Sequence, residues 1–363
     1  MDELEFCAGF ESAGACLITL RNRLGSQAAF TNYGARWVDM ALADPSGNPL
    51  RTVLGFDILQ AYLDAGEKYH GAIVGRVCGR MKNAAFTLDG LTYRLAANDA
   101  YGDPVKNHLH GGLQAFHNRF WNAGFRRTPN GSDCAVFSLF SPDGDEGYPG
   151  NLQVAVTYTL LHDSDTVVME CRAYSDRPTV VNLTNHAFFN PAGHGNAMCV
   201  ADHRLTLAAD RMVACDDCLI PTGRLTPLAG TYADFSRGQT LADAIAAGDA
   251  RVRSDGGFTI AYVLNDETPQ TRPCRFAARL EDPGSGRYLE LFTDRPSLQL
   301  YNGYFMDGSD IGHDGVPYYA GSGVALEPQD FPDAPNHPEF PSITVMPEHP
   351  YRQHTEYVFG KRR

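Results

Sequence analysis

Residues 152–160 read LQVAVTYTL, and this stretch decides the fold because every second position is apolar. In an extended chain, Leu152, Val154, Val156, Tyr158 and Leu160 lie on one face, since successive side chains point to opposite faces of a sheet. The pattern predicts a strand with one face in a core and the other toward solvent. Segments rich in Val, Leu, Tyr, Phe and Thr recur at residues 36–42, 135–140, 166–174, 179–183, 288–293 and 298–301. The sequence therefore predicts an all-β protein.

The chain between these segments contains turn signals and little helix. Helical periodicity is restricted to residues 56–65 and 239–247. Residues 86–95, FTLDGLTYRL, predict a β-hairpin, because Asp89-Gly90 supplies the positive φ values of a type I′ turn. No Ser/Gly tract, charge block or repeat of fixed period separates the strands. We expect residues 1–363 to form a single domain, an antiparallel β-sandwich or barrel with few short helices.

The net charge of the chain argues against nucleic acid and anionic membranes as partners. Among 363 residues, 43 are acidic and 30 are basic, which gives a formal net charge of −13. The longest basic run, Lys361-Arg362-Arg363, is too short to predict binding to a phosphate backbone or an anionic membrane. No apolar run approaches the roughly 18 residues of a spanning helix, and the acidic start MDELEF does not resemble a secretory signal. We expect a cytoplasmic protein that binds a neutral small molecule, with no nucleic-acid or membrane partner.

The cysteines favour a reducing compartment. They number nine, at irregular spacing, so complete pairing into disulfides is impossible. Cys215 and Cys218 form a lone CxxC motif. Without a second such pair, this motif favours two ordinary thiols beside a turn over a metal or redox site.

Polar side chains interrupt the apolar pattern in four stretches near strand ends. These stretches are GRVCGR at 75–80, NHLHGG at 107–112, NLTNHAFFN at 182–190 and GVALEPQ at 323–329. His186 shares a strand face with Asn182 and Thr184 if the strand extends that far. Glu327 follows an apolar run, so we expect it to be partly buried, with Arg80 as its simplest ion-pair partner.

His108 and His110 are two residues apart and would point the same way on a strand. Three interpretations stay open: half of a metal site, a ligand site that only one imidazole faces, and loop histidines held by hydrogen bonds. The spacing supplies no evident third metal ligand, so we expect no metal.

Taken in order along the chain, these stretches resemble the aldose 1-epimerase (galactose mutarotase) family. The resemblance also rests on TNYGA at 31–35, VLGFD at 53–57, the hairpin at 86–95, SPDGDEGYPG at 141–150 and DFPDAPNHP at 330–338. It covers most of the chain and implies the large antiparallel β-sandwich of that family. It also implies an enzyme that interconverts the α and β anomers of a free aldose, without a metal or organic cofactor.

The resemblance assigns roles to four residues. Glu327 matches the general base that takes the proton from the anomeric hydroxyl, and His186 matches the general acid that protonates the ring oxygen. Arg80 and His110 match residues that bind and orient the sugar.

The chain departs from the family pattern at two positions. Gly79 stands where most galactose-processing members have Asn before the site arginine, and Thr259 stands where they have an Asp that binds a substrate hydroxyl. A neutral hydroxyl makes a weaker hydrogen bond than a carboxylate. We therefore expect a preferred aldose other than galactose, such as a pentose or deoxyhexose. Asp255 is a candidate to supply the missing carboxylate from a shifted loop.

Other functions stay open. A catalytically silent sugar-binding or regulatory homologue is favoured by the changes at Gly79 and Thr259, because a fold alone does not fix function. A hexose-phosphate epimerase would need cations directed at a dianion, and the motifs provide only Arg76 and Arg80. Glycoside hydrolysis is less favoured because it needs a pair of carboxylates, and only Glu327 is placed by a motif.

Overall fold

The computed structural model describes residues 10, 14–44, 49–101, 106–195, 199–266 and 273–362. The acidic start MDELEF and Arg363 lie outside the described residues. Within this part of the chain, strands dominate and the helices are three and short. The prediction of an all-β protein is confirmed.

The strands are numbered in chain order. The first half contains β1 (Leu17–Arg21), β2 (Gln27–Thr31), β3 (Arg36–Leu42), β4 (Leu50–Arg51), β5 (Ile73–Val74), β6 (Arg80–Met81), β7 (Ala85–Leu88), β8 (Leu91–Arg94), β9 (His108–Leu109), β10 (Asn122–Arg127), β11 (Asp133–Ser141), β12 (Leu152–Leu160), β13 (Thr166–Ser175), β14 (Thr179–Val180) and β15 (Thr184–Asn185). The second half contains β16 (Phe188–Phe189), β17 (Arg204–Leu207), β18 (Ala209–Cys215), β19 (Pro221–Pro227), β20 (Gln239–Thr240), β21 (Thr259–Leu264), β22 (Arg275–Glu281), β23 (Arg287–Thr293), β24 (Ser297–Tyr301), β25 (Asp307–Ile311), β26 (Pro317–Tyr319), β27 (Val324–Gln329), β28 (Thr344–Val345) and β29 (Tyr351–Lys361). The helices are α1 (Leu59–Asp64), α2 (Leu241–Ala247) and α3 (Ala250–Asp255).

Two large antiparallel sheets account for most of the described strands. The nine-stranded sheet has the order β10-β11-β12-β13-β29-β23-β22-β17-β20, and the six-stranded sheet has the order β16-β27-β24-β21-β18-β19. A four-stranded sheet, β1-β2-β3-β4, adds a third layer of strands at the start of the chain. Short pairs, β6 with β9 and β5 with β15, bring the polar stretches of the sequence together.

The main core lies where apolar faces of these sheets meet. The largest cluster of buried residues includes Val156 and Tyr158 of β12, Trp37 of β3, and Leu300 and Leu326 of the six-stranded sheet. Alternation of apolar and polar residues produces this packing, since β12 buries every second side chain as its sequence predicts. Because residues from all three sheets share one cluster, the strands form the predicted sandwich.

Several local predictions can be compared with the structure. The hairpin at 86–95 is confirmed as β7 and β8, with φ values of 50° at Asp89 and 77° at Gly90. The helical windows shorten to α1 and α2, whereas α3 was missed because Val252 is its single buried residue and one position makes no apolar face. The strand predicted at 179–183 is wrong beyond β14. There the Asn182 side chain bonds the backbone of Asp330 and interrupts the regular ladder.

The helices of the described residues do not include one that is both long and apolar enough to cross a membrane.

Candidate functional site

A cavity that opens to solvent, with about 820 Å³ of empty space when its mouth is included, lies against the six-stranded sheet, on the face opposite the main core. The same period of two explains why. In β27, Val324 and Leu326 enter the core, while Glu327 and Gln329 line the cavity. The other lining residues are Glu67, Tyr69, Gly79, Arg80, Leu109, His110, His186, Cys215, Leu219, Thr259, Ala261, Gln299, Tyr301, Phe305 and Pro332.

Glu327 is fixed in the middle of this sheet. Its strand pairs with β24, where Gln299 lies directly opposite it. The residue is only 2% exposed, and Oε2 has no hydrogen-bond partner among the described residues. Burial, with a smaller contribution from the charge of Glu67, raises the pKa of Glu327 well above its usual value. A carboxylate in this state is a strong base.

His186 reaches the cavity from the segment between β15 and β16. Its backbone N–H donates to the Ala72 carbonyl at 2.9 Å, and its carbonyl accepts from the Gly71 N–H at 3.0 Å. The neighbouring Asn185 side chain donates to the Gly71 carbonyl at 2.7 Å and to the Tyr158 hydroxyl at 3.0 Å. These bonds fix the backbone on both sides of the imidazole. They replace the continuous strand that would have put Asn182, Thr184 and His186 on one face, so that prediction is wrong.

The imidazole and the carboxylate face each other. His186 Nε2 lies 3.6 Å from Glu327 Oε1. Burial lowers the pKa of His186 to about 3, so its neutral form is favoured, as is the protonated form of Glu327. Each group is thus poised to exchange a proton with a bound molecule: the carboxylate as a strong base and the imidazolium as a strong acid.

His110 also lines the cavity, but its direction comes from a turn. Its φ of 53° is left-handed, and the Gly79 N–H donates to Nδ1 at 3.2 Å. Since Nδ1 accepts, Nε2 carries the proton of the neutral ring and is the donor left for a ligand. Gly111 follows because a Cβ there would lie 1.9 Å from the Gly75 carbonyl oxygen.

His108 does not join this site. Its Nδ1 lies 2.8 Å from the Ala96 carbonyl oxygen, and its Nε2 lies 2.7 Å from the Tyr148 hydroxyl. The expectation that both histidines point the same way fails, because β9 ends at Leu109 and His110 turns left-handed. Of the three interpretations of this motif, the structure matches the one in which a single imidazole faces the cavity.

Arg80 lies at the cavity wall but does not pair with Glu327. Its Nε donates to Asp99 Oδ2 at 2.8 Å, and this carboxylate is almost fully buried. The simplest partner expected from the sequence was therefore the wrong one. The ion pair with Asp99 holds the guanidinium in place beside His110, since β6 and β9 are paired.

Thr259 lies on the cavity face of β21, where its hydroxyl accepts a hydrogen bond from Gln299 Nε2 at 2.7 Å. Gln329 Nε2 in turn lies 3.5 Å from Gln299 Oε1. Asp255 is not brought to this wall. It is an exposed residue at the end of α3, outside the cavity lining, so the structure does not support it as a substitute carboxylate.

Sequence reasoning missed Glu67, Tyr69 and Gln299. A signal existed for Gln299, because SLQLY at 297–301 alternates polar and apolar residues. Glu67 and Tyr69 lie in a segment without strand or helix pattern, so only the folded chain reveals them.

Metal-ligand spacing occurs elsewhere in the described residues. Cys274, His354 and Glu356 have donor atoms within 4.8 Å of one another. This group lies outside the cavity lining. Cys215 and Cys218 are free thiols, and only Cys215 is a cavity residue.

Fold and site together define a class: an antiparallel β-sandwich with a carboxyl group and an imidazole buried side by side in a cavity against one sheet. Comparison with known proteins gives the family. The family model for aldose 1-epimerase matches residues 16–358. Pig galactose mutarotase is 38% identical over 329 residues, which cover 91% of this chain and 90% of the relative. The aldose 1-epimerase of Escherichia coli is 33% identical and 94% of each chain is covered.

Solved structures agree. An aldose epimerase homologue from C. elegans has a TM-score of 0.84 at 30% identity, covering 96% of this chain and 100% of that one. Galactose 1-epimerase from Lactobacillus acidophilus has a TM-score of 0.82 at 26% identity, covering 96% and 95%. The chain belongs to the aldose 1-epimerase family, and the resemblance inferred from its motifs is confirmed.

Proposed function

We propose that this protein is a mutarotase that interconverts the α and β anomers of a free aldose by opening and reclosing the sugar ring. The observation that carries the proposal is the buried pair of Glu327 and His186, whose Oε1 and Nε2 atoms lie 3.6 Å apart in one cavity. Anomer exchange needs one proton removed from the anomeric hydroxyl and one delivered to the ring oxygen. One carboxylate and one imidazole meet that need, and no metal or organic cofactor is required because nothing is oxidised and no group is transferred.

The pair works with a single proton. The reactive state with the cyclic sugar has the proton on His186 and a charged Glu327, so the bound sugar must offset the burial that favours the neutral form of each residue. Glu327 takes the O1 proton, His186 gives its proton to the ring oxygen, and the C1–ring-oxygen bond breaks to give the aldehyde. Both residues are then neutral, which is the state that burial favours. The C1–C2 bond rotates, and the same transfers in reverse close the ring on the other face.

Arg80 and His110 would bind and orient the sugar. Arg80 is held by Asp99, and His110 presents Nε2 because Nδ1 is occupied by the Gly79 N–H. Thr259 would contact a hydroxyl, but Gln299 already donates to it. With Gly79 in place of Asn and the neutral Thr259 in place of Asp, we propose a preferred aldose other than galactose.

The charged residues of the cavity argue against a hexose-phosphate epimerase. Among the described residues that line it, Arg80 is the only Lys or Arg, and it is already paired with Asp99. Glu67 and Glu327 add two carboxyl groups. A phosphate dianion would meet these carboxyl groups with little compensating cation, so a neutral sugar is the better fit.

We also propose a single domain and a cytoplasmic location. Support for the first comes from the core cluster shared by all three sheets. Support for the second comes from the free thiols at Cys78, Cys134 and Cys171, buried in a protein with an odd number of cysteines.

The test is a panel of freshly dissolved α-anomers of glucose, galactose, xylose, arabinose and fucose, followed by polarimetry and NMR saturation transfer. We expect at least one sugar to equilibrate faster than in buffer, with galactose not the best. If a sugar binds in calorimetry but none equilibrates faster, the protein is the silent sugar-binding homologue instead. His186→Ala serves as the control for contaminating activity.

A further inference from the structure

Glu67 is a carboxyl group in the cavity that the proposed mechanism does not use. It lies between α1 and β5, is only partly exposed, and lines the same space as Glu327 and His186. A partly buried carboxylate is unfavourable unless it is paired or hydrogen-bonded, so its presence here calls for an explanation.

The segment that carries Glu67 is held firmly from two sides. Asp310 accepts the N–H groups of Gly66 at 2.6 Å and Glu67 at 3.0 Å, and its Oδ2 lies 3.2 Å from His70 Nε2. On the other side, the buried guanidinium of Arg36 donates to the carbonyls of His70 at 2.7 Å and Lys68 at 2.8 Å. The backbone that carries Glu67 is therefore fixed beside the cavity.

The carboxylate itself is only half satisfied. Oε1 accepts the N–H of Tyr69 at 3.1 Å, and the described residues supply no donor to Oε2 and no ion-pair partner. The nearby cation, Arg36, is already bonded to carbonyl oxygens. Burial raises the pKa of Glu67 to about 7, and its charge raises the pKa of Glu327 and Tyr301, which places it in their electrostatic neighbourhood.

The cavity thus has a carboxyl group on Glu67 and none on its β21 wall. The β21 wall has the neutral Thr259, whose hydroxyl is occupied by Gln299 at 2.7 Å. Charge-assisted hydrogen bonds are about twice as strong as neutral ones. The strongest acceptor left for a sugar hydroxyl, apart from the base Glu327, is therefore on the segment before β5.

We propose that Glu67 binds the substrate and determines its specificity: Oε2 accepts a hydrogen bond from one ring hydroxyl of the aldose, at a position other than the anomeric one. This inference rests on the proposed function. Selection then favours aldoses that present a hydroxyl to Glu67 and do not depend on a charged contact at Thr259, because an analogue without that hydroxyl leaves the carboxylate without a donor once the sugar displaces water from the cavity.

The experiment compares Glu67→Gln and Glu67→Ala with the unaltered protein on the best aldose and on its 2-, 3-, 4- and 6-deoxy analogues. Gln keeps the volume and the acceptor for the Tyr69 N–H. We expect kcat/KM for the parent sugar to fall on the order of 10- to 100-fold in Glu67→Ala, as for loss of a charged hydrogen bond. For the one deoxy analogue that lacks the contacted hydroxyl, Glu67→Ala and the unaltered protein should have nearly equal kcat/KM values.

Glu348→Gln is the matched control, since Glu348 is exposed and outside the cavity. Melting temperatures verify that each variant folds. Equal losses on every sugar, or losses below twofold on all of them in a folded protein, would overturn the role of Glu67. If the unaltered protein accelerates no sugar, the proposed function fails, and the same deoxy series measured by calorimetric binding still tests Glu67 separately.

Discussion

Replacement of Glu327 by Gln separates the chemistry of the site from its stability. The substitution preserves volume, and the structure leaves Oε2 without a partner, so the amide loses no hydrogen bond there. A positioned general base contributes about 10²- to 10⁴-fold to a rate, which corresponds to about 3–5 kcal/mol of the activation barrier. We expect kcat/KM for mutarotation to fall by that factor.

Glu327→Gln should not lower the thermal stability of the protein, although it lowers the activity. Glu327 is 2% exposed, and the one ion-pair partner that the described residues offer it is the imidazole of His186 at 3.6 Å. Burial therefore disfavours the charged carboxylate, so the neutral amide should leave the melting temperature unchanged or raise it. The assay is NMR saturation transfer on the best aldose, corrected for the spontaneous rate, beside a thermal melt. Glu348→Gln is the control. A folded Glu327→Gln protein that keeps more than about a tenth of the activity would refute the assignment of the base, because a positioned general base typically contributes about 100-fold or more.

Three further predictions follow the same logic. The pair of Glu327 and His186 holds one exchangeable proton, so kcat/KM should decline at alkaline pH, when the pH passes the raised pKa of the Glu327 carboxyl group and that proton is lost. It should also decline at acid pH, when His186, with a pKa of about 3, is protonated while Glu327 keeps its proton. A rate that keeps rising with pH would contradict this. Thr259→Asp should raise kcat/KM for galactose relative to the preferred aldose by about tenfold, since Gln299 already donates a hydrogen bond at this position. Unchanged relative rates across the sugar panel would exclude a role for position 259 in specificity. Arg76→Met should lower the free energy of unfolding by about 3–5 kcal/mol in urea, because it strands the buried carbonyl oxygens of Ser141 and Pro149; a loss below about 1 kcal/mol would show that water or neighbours replace the guanidinium.

Sequence patterns predicted several of the long strands, including β11, β12 and β13, because strand alternation is local. LQVAVTYTL at 152–160 needs no partner to show which side chains face a core, and the structure buries those residues. GVALEPQ at 323–329 is similar, since the alternation that buries Leu326 necessarily turns Glu327 and Gln329 to the other face.

Predictions failed where a side chain or a left-handed turn replaced the ladder. Asn182 bonds the backbone of Asp330 and ends a predicted strand. His110 takes a φ of 53°, so its imidazole separates from that of His108. Neither event has a periodic signature.

By itself, the sequence determined the all-β class, the family resemblance and the candidate base, acid and sugar-binding residues, because these depend on residue type and local spacing. Only the tertiary structure decided which of them meet. The strand order brings Glu327 to 3.6 Å from His186, pairs Arg80 with Asp99 and leaves Asp255 outside the cavity. It also introduced Glu67, because contacts between distant segments are set by how the sheets pair and pack.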